Sequence, residues 1–277
     1  MSARAVSVVV PASNEARLLP GCLRALLLSE APHLPVEAVV ASNGSRDGTA
    51  AVARGFAGQF AARGWRLQVL DIPEGGKPGA LDAGDAAATG DLRAYLDADV
   101  TVSPPLLAGI ARALDRPDAA YASGRPRITG EGPAARLYAR TWARVPFMAE
   151  GVPGCGLFAV NAAGRARWGL WPRIIADDAF ARLQFAPHER HLVPHPYGWP
   201  IAEGARALVR VRRRQDRGVR EVAARFPHLM ENEDKAHLGL RGLARLALSD
   251  PLSFAAYAGV ALAVRVGRDD GTWSRSR

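Results

Sequence analysis

Four short apolar runs, separated by segments long enough for a helix, constrain the fold of this chain most. The runs are VSVVV (6–10), VEAVVA (36–41), RLQVL (66–70) and LRAYL (92–96). Runs of this length and β-branched content are typical of strands buried on both faces. Because strands that alternate with helices form parallel βαβ units, the sequence predicts an α/β protein with a mainly parallel, helix-covered sheet.

Helix signals between and after these runs are less uniform. The segment 45–64 is predicted to be one helix, with Ser45 as its N-cap and Gly64 as its C-terminal stop. In the second half we expect a helix near 133–147, a strand at 156–161 and a helix that starts near Asp177 or Asp178.

The predicted domain organisation follows from this contrast between the halves. Residues 1–205 are expected to form one domain with two halves, 1–105 and 106–205. Residues 206–277 are expected to form a basic and apolar helical C-terminal extension, packed on the same domain.

Composition limits the class of protein and the compartment. The chain has 277 residues, of which 48% are hydrophobic and 23% charged, as in folded globular proteins. Two cysteines, Cys22 and Cys155, are too few for a disulfide framework, so a reducing, cytoplasmic setting is expected. The formal net charge of +9, concentrated at 206–221, favours a polyanionic partner: nucleic acid, an acidic lipid surface or a phosphorylated substrate.

The apolar stretch PLSFAAYAGVALAV (251–264) bears on membrane contact. It is shorter than the roughly 18 consecutive apolar residues of a spanning helix. Two interpretations stay open, a core helix and a helix that lies in a membrane interface.

Polar clusters follow all four predicted strands. They are PASNE (11–15), SNGSRDGT (42–49), PEGGKPGAL (73–81) and DAD (97–99). Ligands of open α/β sheets gather at the carboxyl ends of parallel strands, so the four clusters predict one shared pocket.

Carboxylates and a lysine give this pocket its expected chemistry. Asp97 and Asp99 are two apart, which in an extended chain points them to the same side, where Mg²⁺ or Mn²⁺ would offset their repulsion. The alternative is a strand end with a solvated carboxylate. Lys77 follows two glycines and is placed to neutralise phosphate, unless it is an ordinary loop lysine. Asn43 is a candidate to hydrogen-bond a base or ribose.

The ordered series VSVVVPASNE, SNGSRDGT, GGKPGALDAGDAAATGD and YLDADV resembles the family 2 glycosyltransferases over roughly residues 5–105, and more weakly to about 190. This resemblance implies a GT-A fold, a nucleotide-diphosphate sugar donor, Mn²⁺ or Mg²⁺, and inversion at the anomeric carbon. It makes 1–105 the nucleotide-sugar-binding half of the predicted domain and 106–205 the acceptor-side half. It places nucleotide-sugar contacts at Pro11, Ala12, Asn14, Glu15, Asn43, Lys77 and Asp97, and the metal at Asp97 and Asp99. Two positions depart from the family pattern: Asn43 stands where an aspartate is usual, and Asp82 where an asparagine is usual.

The resemblance also implies catalytic and phosphate-binding residues in the second half. In ADDAFARL (176–183), Asp178 matches the general base and Asp177 the first member of the pair, although the same residues also suit the start of a helix. Arg214 and Arg217 lie where relatives carry a Gln/Arg-rich motif, but no tryptophan follows them. They are expected to clamp the diphosphate, to face anionic lipid or to form a solvated basic helix.

The leading interpretation is therefore a metal-dependent inverting glycosyltransferase of cell-envelope, exopolysaccharide or glycolipid biosynthesis. The expected acceptor is a sugar or a lipid-linked molecule, nucleic acid is not an expected partner, and the protein is expected in the cytoplasm, with an anionic membrane surface as a further partner at the inner face of the membrane. The alternative is a non-catalytic polyanion-binding protein on a degenerate transferase scaffold, which steeply salt-dependent nucleic-acid binding without sugar transfer would reveal.

Overall fold

Eight strands form one mixed sheet in the computed structural model, which describes residues 5–236 and 238–266. The strands are β1 (Val6–Ala12), β2 (Val36–Asn43), β3 (Arg66–Ile72), β4 (Leu92–Leu96), β5 (Thr101–Val102), β6 (Tyr121–Thr129), β7 (Leu157–Val160) and β8 (Arg190–Pro200). Their order is β3-β2-β1-β4-β7-β6-β8-β5.

Twelve α-helices within the described residues cover this sheet or extend from it. They are α1 (Leu19–Leu27), α2 (Thr49–Arg54), α3 (Ala57–Ala62), α4 (Lys77–Ala87), α5 (Leu106–Leu114), α6 (Pro133–Trp142), α7 (Pro146–Ala149), α8 (Ala162–Arg165), α9 (Asp177–Leu183), α10 (Ala205–Arg225), α11 (Leu240–Ser249) and α12 (Pro251–Val266).

The first half of the sheet is parallel, as predicted. β1 pairs in parallel with both β2 and β4, and β2 pairs in parallel with β3. All residues of β1 and β2 are buried, which explains why these strands are continuous apolar runs and not alternating ones. The carboxyl ends of β1 to β4 therefore open at one edge of the sheet, and the four polar clusters follow them there.

The segment predicted as one helix from Ser45 to Gly64 is two short helices. α2 ends at the C-cap Gly55, and α3 begins after Phe56. The expected capping role of Ser45 is wrong, because Gly48 occupies the N-cap position and the Ser45 hydroxyl instead accepts a hydrogen bond from the Asn14 backbone N–H at 3.2 Å.

Two strands of the second half carry no clear sequence signal. β6 (YASGRPRIT) and β8 (RHLVPHPYGWP) contain glycines and prolines that argue against strand interiors. They nevertheless pair in parallel, and the register shifts between Ser123 and Arg125, which accommodates the irregular backbone.

The C-terminal helices α10 and α12 pack against α6. The Tyr257 ring of α12 stacks on Tyr138 of α6 with ring centroids 5.4 Å apart, and Val260 is buried in the same cluster as Leu208 of α10. Within residues 5–236 and 238–266, no helix combines the length and apolarity needed to cross a membrane. Residues 267–277 of the predicted extension lie outside the described residues.

Candidate active site

A cavity of about 690 Å³ lies at the carboxyl edge of β1, β2 and β4. Its lining comes from all four polar clusters and from α9 and α10. The sequence-predicted residues in that lining are Pro11, Glu15, Asn43, Lys77, Asp97, Asp99, Asp177, Asp178 and Arg214. The shared pocket that the strand-end pattern predicted therefore exists in the structure.

Asp97 and Asp99 lie in a tight turn and not in extended chain. β4 ends at Leu96, and the Val100 N–H donates to the Asp97 carbonyl at 3.0 Å, which closes the turn. The Asp97 N–H donates to the Gly156 carbonyl at 2.8 Å, so the turn is anchored to the segment that leads into β7. Both carboxylates still face the same cavity, although the turn, and not strand alternation, brings them there.

Lys77 connects the two sides of the cavity. It is the first residue of α4, and its ammonium lies 2.9 Å from Asp97 Oδ1 and 2.9 Å from Asp177 Oδ2. Burial lowers the pKa of Lys77, but the charges of Asp177 and Asp97 outweigh burial and raise that pKa above its usual range. Lys77 is therefore a permanent cation between a β4 carboxylate and an α9 carboxylate.

Asp178 differs from Asp177, its neighbour in sequence. Asp177 is 6% exposed and pairs with Lys77, whereas Asp178 Oδ1 accepts a hydrogen bond from the Ala179 N–H at 2.8 Å. Burial, together with the negative charge of Asp177, raises the pKa of Asp178 to about 6, against the opposing effect of Lys77. A carboxylate with a pKa this close to neutrality suits general-base chemistry.

Asn43 joins the end of β1 to the loop after β3 through hydrogen bonds. Its Nδ2 donates to the carbonyls of Ala12 and Ala41, and its Oδ1 accepts from the Gly76 N–H at 2.9 Å. Next to it, Gly44 has a φ of +53°, and a Cβ at this position would lie 2.7 Å from the Gly75 Cα. An aspartate in place of Asn43 would lack these two donors.

The end of β1 and the loop that follows it combine cavity-lining and supporting residues. Pro11 and Glu15 line the cavity, whereas Ala12 and Asn14 do not. Asn14 takes the left-handed conformation at a φ of 55°, where asparagine is tolerated, and its Oδ1 accepts from the Arg46 N–H at 2.9 Å. Asn14 thus holds the loop after β1 against the loop after β2.

The carboxylates fit a hard divalent cation that takes further ligands from a diphosphate. Asp97 and Asp99 offer oxygen ligands at the rim of a cavity with room for a nucleotide, which is how Mg²⁺ sites with few protein ligands are built. Among the residues that the structure describes, no group of three or more His, Cys, Asp or Glu side chains is placed to hold a metal without such help.

The comparison with protein families decides the identity. The family model described as Glycosyl transferase family 2 matches residues 7–165, which is more than half of the chain. The chain belongs to glycosyl transferase family 2.

Two curated relatives match parts of the chain. Glycosyltransferase AglE of Haloferax volcanii is 35% identical over 95 residues, covering 34% of this chain and 30% of AglE. Dolichyl-phosphate beta-glucosyltransferase of Drosophila melanogaster is 32% identical over 149 residues, covering 49% of this chain and 45% of that protein. The matched segments span less than half the length of either relative.

Solved structures show the same fold over nearly the whole chain. Mannosyltransferase PcManGT from Pyrobaculum calidifontis, solved with GDP-Man and Mn²⁺, superposes with a TM-score of 0.58 at 22% identity, covering 97% of this chain and 77% of PcManGT. S. aureus TarS 1-349 gives a TM-score of 0.56 at 13% identity, covering 95% and 92%. The predicted family and the predicted GT-A type α/β fold are confirmed.

The two arginines predicted near the diphosphate, Arg214 and Arg217, lie in different places. Arg214 of α10 lines the main cavity, whereas Arg217 lines a shallower surface pocket with Pro78 and Arg173. Asp82, the second departure from the family pattern, accepts a hydrogen bond from the Trp171 N–H at 2.8 Å and does not line the cavity. The Asp82 carboxylate therefore holds the segment between α8 and α9 and does not face the cavity.

The sequence interpretation missed an apolar half of the cavity. Tyr138 and Trp142 of α6, Trp199 of β8, and Leu208 and Val211 of α10 line it. The Trp142 and Trp199 rings lie 5.2 Å apart. The apolar face of α6 was the one available signal, because β8 has no recognisable strand pattern.

The sequence analysis also did not predict the charged segment 233–235 beside the cavity. Arg182 of α9 pairs with Glu233 and, at 2.9 Å, with Asp234, while the Lys235 ammonium lies 4.8 Å from the Phe147 ring centre. Arg182, Glu233 and Lys235 all line the cavity. Contacts between residues 50 positions apart in sequence leave no local pattern from which to predict them.

Proposed function

We propose that this family 2 member is an inverting glycosyltransferase that moves a sugar from a nucleotide-diphosphate sugar to an acceptor hydroxyl. One observation carries the proposal. A single cavity has the Asp97 and Asp99 carboxylates on one side and Asp178, with its pKa raised to about 6, on the other, with Lys77 between them.

The donor is assigned to the β1–β4 side of the cavity. Pro11, Glu15 and Asn43 line the region for the nucleotide, and Ala12 and Asn14 support it from behind. Lys77 and Arg214 are the cations that face the diphosphate region, whereas Arg217, placed in the neighbouring pocket, acts at longer range. The solved neighbour PcManGT, described with GDP-Man, supports a donor of this class.

Asp97 and Asp99 are the residues that would hold Mn²⁺ or Mg²⁺. The ion would supply positive charge to the diphosphate as its bond to the sugar breaks. Lys77 adds a fixed positive charge beside Asp97 at 2.9 Å, so this chain stabilises the leaving group from its own residues as well.

Asp178 is the proposed general base. It accepts the proton of the acceptor hydroxyl while that oxygen attacks the anomeric carbon from the face opposite the diphosphate, and this geometry inverts the configuration. Asp177 positions the site, because its pairing with Lys77 fixes the start of α9 and its charge helps to raise the pKa of Asp178.

The acceptor is assigned to the apolar half of the cavity, where Tyr138, Trp142 and Trp199 offer surfaces to a sugar ring or an apolar chain. A sugar-bearing or lipid-linked acceptor of cell-envelope, exopolysaccharide or glycolipid synthesis fits such a lining, with the enzyme on the cytoplasmic side. The Drosophila relative, named dolichyl-phosphate beta-glucosyltransferase, supports a lipid-linked acceptor.

A thermal-shift screen tests the proposal directly. UDP-, GDP- and dTDP-sugars are each added with Mn²⁺, and the hits are followed by an assay of donor hydrolysis and transfer. We expect one nucleotide class to raise the melting temperature and Asp99→Ala to remove the Mn²⁺-dependent part of that rise. An equal shift in Asp99→Ala would contradict the metal assignment, and nucleic-acid binding without any donor response would favour the polyanion-binding alternative.

A further inference from the structure

Exposed large apolar side chains are concentrated on two consecutive helices. Six of the eight that the described residues contain lie on α11 and α12, and this set is called here the α11–α12 face. Its members are Leu240, Leu243, Leu248, Leu252, Leu262 and Val266. Leu240 and Leu248 are 85% and 83% exposed. A cluster of this kind on a folded chain marks an interaction surface, whereas scattered exposed leucines do not.

The face follows helical periodicity on both helices. On α12 the exposed positions Leu252, Ala255, Gly259, Leu262 and Val266 are three or four residues apart, so they form one continuous apolar stripe. On α11, Leu240 and Leu248 are two turns apart on one side of the helix. Only Asp250 separates the two helices, and the two helices contact each other.

Arginines border the apolar stripes. Arg241 and Arg245 of α11 are exposed and one turn apart, and Arg241 lies on the same side of the helix as Leu248, seven residues later. Arg265 is exposed near the end of α12. An apolar face edged with arginines has the pattern of a helix that lies on an anionic lipid surface.

The opposite side of α12 adjoins the apolar half of the cavity. Tyr257 stacks on Tyr138, and Tyr138 itself lines the cavity. The Arg144 guanidinium, just beyond α6, donates to Ser249 Oγ of α11 at 2.8 Å. The α11–α12 face is thus the outer surface of the helices that back the proposed acceptor region.

We propose that the α11–α12 face docks this protein on an anionic lipid surface, where a lipid-linked acceptor enters the apolar half of the cavity. The assignment of the acceptor rests on the proposed sugar transfer, whereas the docking itself does not. A second copy of the chain on this face is the competing occupant that the experiment must separate.

Vesicle sedimentation of the full chain tests the docking. We expect the protein to bind vesicles of phosphatidylcholine with phosphatidylglycerol and to bind phosphatidylcholine alone weakly. Leu248→Glu combined with Leu252→Glu is expected to weaken vesicle binding about ten-fold or more, because it places two charges in the apolar stripe. Arg241→Glu combined with Arg245→Glu is expected to remove mainly the phosphatidylglycerol-dependent part.

The matched control replaces exposed leucines elsewhere. Leu28 and Leu170 are 73% and 81% exposed but lie outside α11 and α12, so Leu28→Glu combined with Leu170→Glu is expected to bind vesicles like the unmodified protein. The inference would be overturned if the Leu28 and Leu170 changes weakened vesicle binding as much as the Leu248 and Leu252 changes do. A protein that stays in the supernatant with every vesicle would overturn it too. So would a concentration-dependent dimer in sedimentation velocity that the Leu248 and Leu252 changes dissolve.

Donor binding in solution separates the two proposals. The α11–α12 variants should show the same nucleotide-sugar thermal shift as the unmodified protein, which also shows that they are folded. A donor response without vesicle binding would refute the docking and leave the transferase proposal intact. Vesicle binding without any donor response would refute the transferase proposal and leave the docking intact.

Discussion

Replacing Asp178 with asparagine should make the protein more stable and nearly inactive at the same time. The pKa of Asp178 in the folded chain is about 6, against its ordinary 3.8. The folded state therefore holds this proton more tightly than the unfolded chain does. The stabilising effect of that proton is complete below pH 3.8 and is lost as the pH rises through about 6.

The magnitude follows from the size of that displacement. At about 1.4 kcal/mol per pH unit, the ionised Asp178 costs the folded state at most roughly 3 kcal/mol above pH 6. Asparagine keeps the side-chain oxygen that accepts the Ala179 N–H but carries no charge. We expect Asp178→Asn to raise the melting temperature at pH 7.5 by up to roughly 6 °C. The gain should shrink as the pH is lowered from 6 towards 4.

Transfer activity should move in the opposite direction. Loss of a general base typically costs about 10²–10⁴-fold in rate, and we expect a loss in that range for Asp178→Asn with donor binding retained. In the unmodified enzyme the rate should fall as the pH drops through about 6, because the carboxylate takes up its proton there.

The assay is a pair of melting curves across pH, recorded without metal or nucleotide, together with transfer rates at saturating donor. Asp47→Asn is the control of opposite sign. Burial acts to raise the pKa of Asp47, but hydrogen bonds from Thr49 and Ala16 outweigh it and lower that pKa, so this change should reduce stability at neutral pH and lose its effect at acid pH. Full transfer activity in Asp178→Asn, or a melting temperature that falls at pH 7.5, would refute the reasoning.

Three further substitutions test contacts that hold the cavity-lining segments in place. Lys77→Met leaves Asp97 and Asp177 without their shared cation, so we expect a lower melting temperature at pH 7.5. We also expect the nucleotide affinity measured by calorimetry to fall about ten-fold or more; an unchanged affinity would argue against a phosphate-facing role. Asn43→Ala removes three hydrogen bonds, two of them buried, and should cost about 2–3 kcal/mol in urea unfolding, whereas a neutral effect would contradict its role in holding the two loops together. Gly84→Ala would bring a Cβ to 2.4 Å from a valine methyl of β1, and the overpacking should destabilise the chain by about 1–3 kcal/mol; a more stable variant would refute that packing argument.

The parallel half of the fold was predictable because its signal is local. β1 and β2 are buried on both faces, so their sequences are runs of valine and alanine that few other structures tolerate. The strand-end rule then brings Lys77 and Asp97 together without any knowledge of side-chain positions. In the other half, β6 and β8 depend on each other for pairing, and their glycines and prolines hide that dependence.

The working arrangement of the site was not predictable for a related reason. That Lys77 pairs with Asp177, 100 positions later, is a consequence of how α9 is placed on the sheet. Likewise, the pKa of Asp178 depends on its burial and on the charge of Asp177, and neither effect is visible in the letters ADDAF. The family resemblance proposes Asp178 as the general base, and the raised pKa of Asp178 supports that proposal. The division into a domain of residues 1–205 and an extension stays a prediction.

The close backbone approach of Gly44 to Gly75 has a consequence for engineering this protein. A Cβ on Gly44 would lie 2.7 Å from the Gly75 Cα, whereas a Cβ on Gly75 would lie 3.9 Å from the Gly44 Cα, which is an ordinary contact. A loop after β2 that is taken from another family member will therefore fit here only if it has glycine at position 44. Variant libraries gain more by varying position 75, where a small side chain has room.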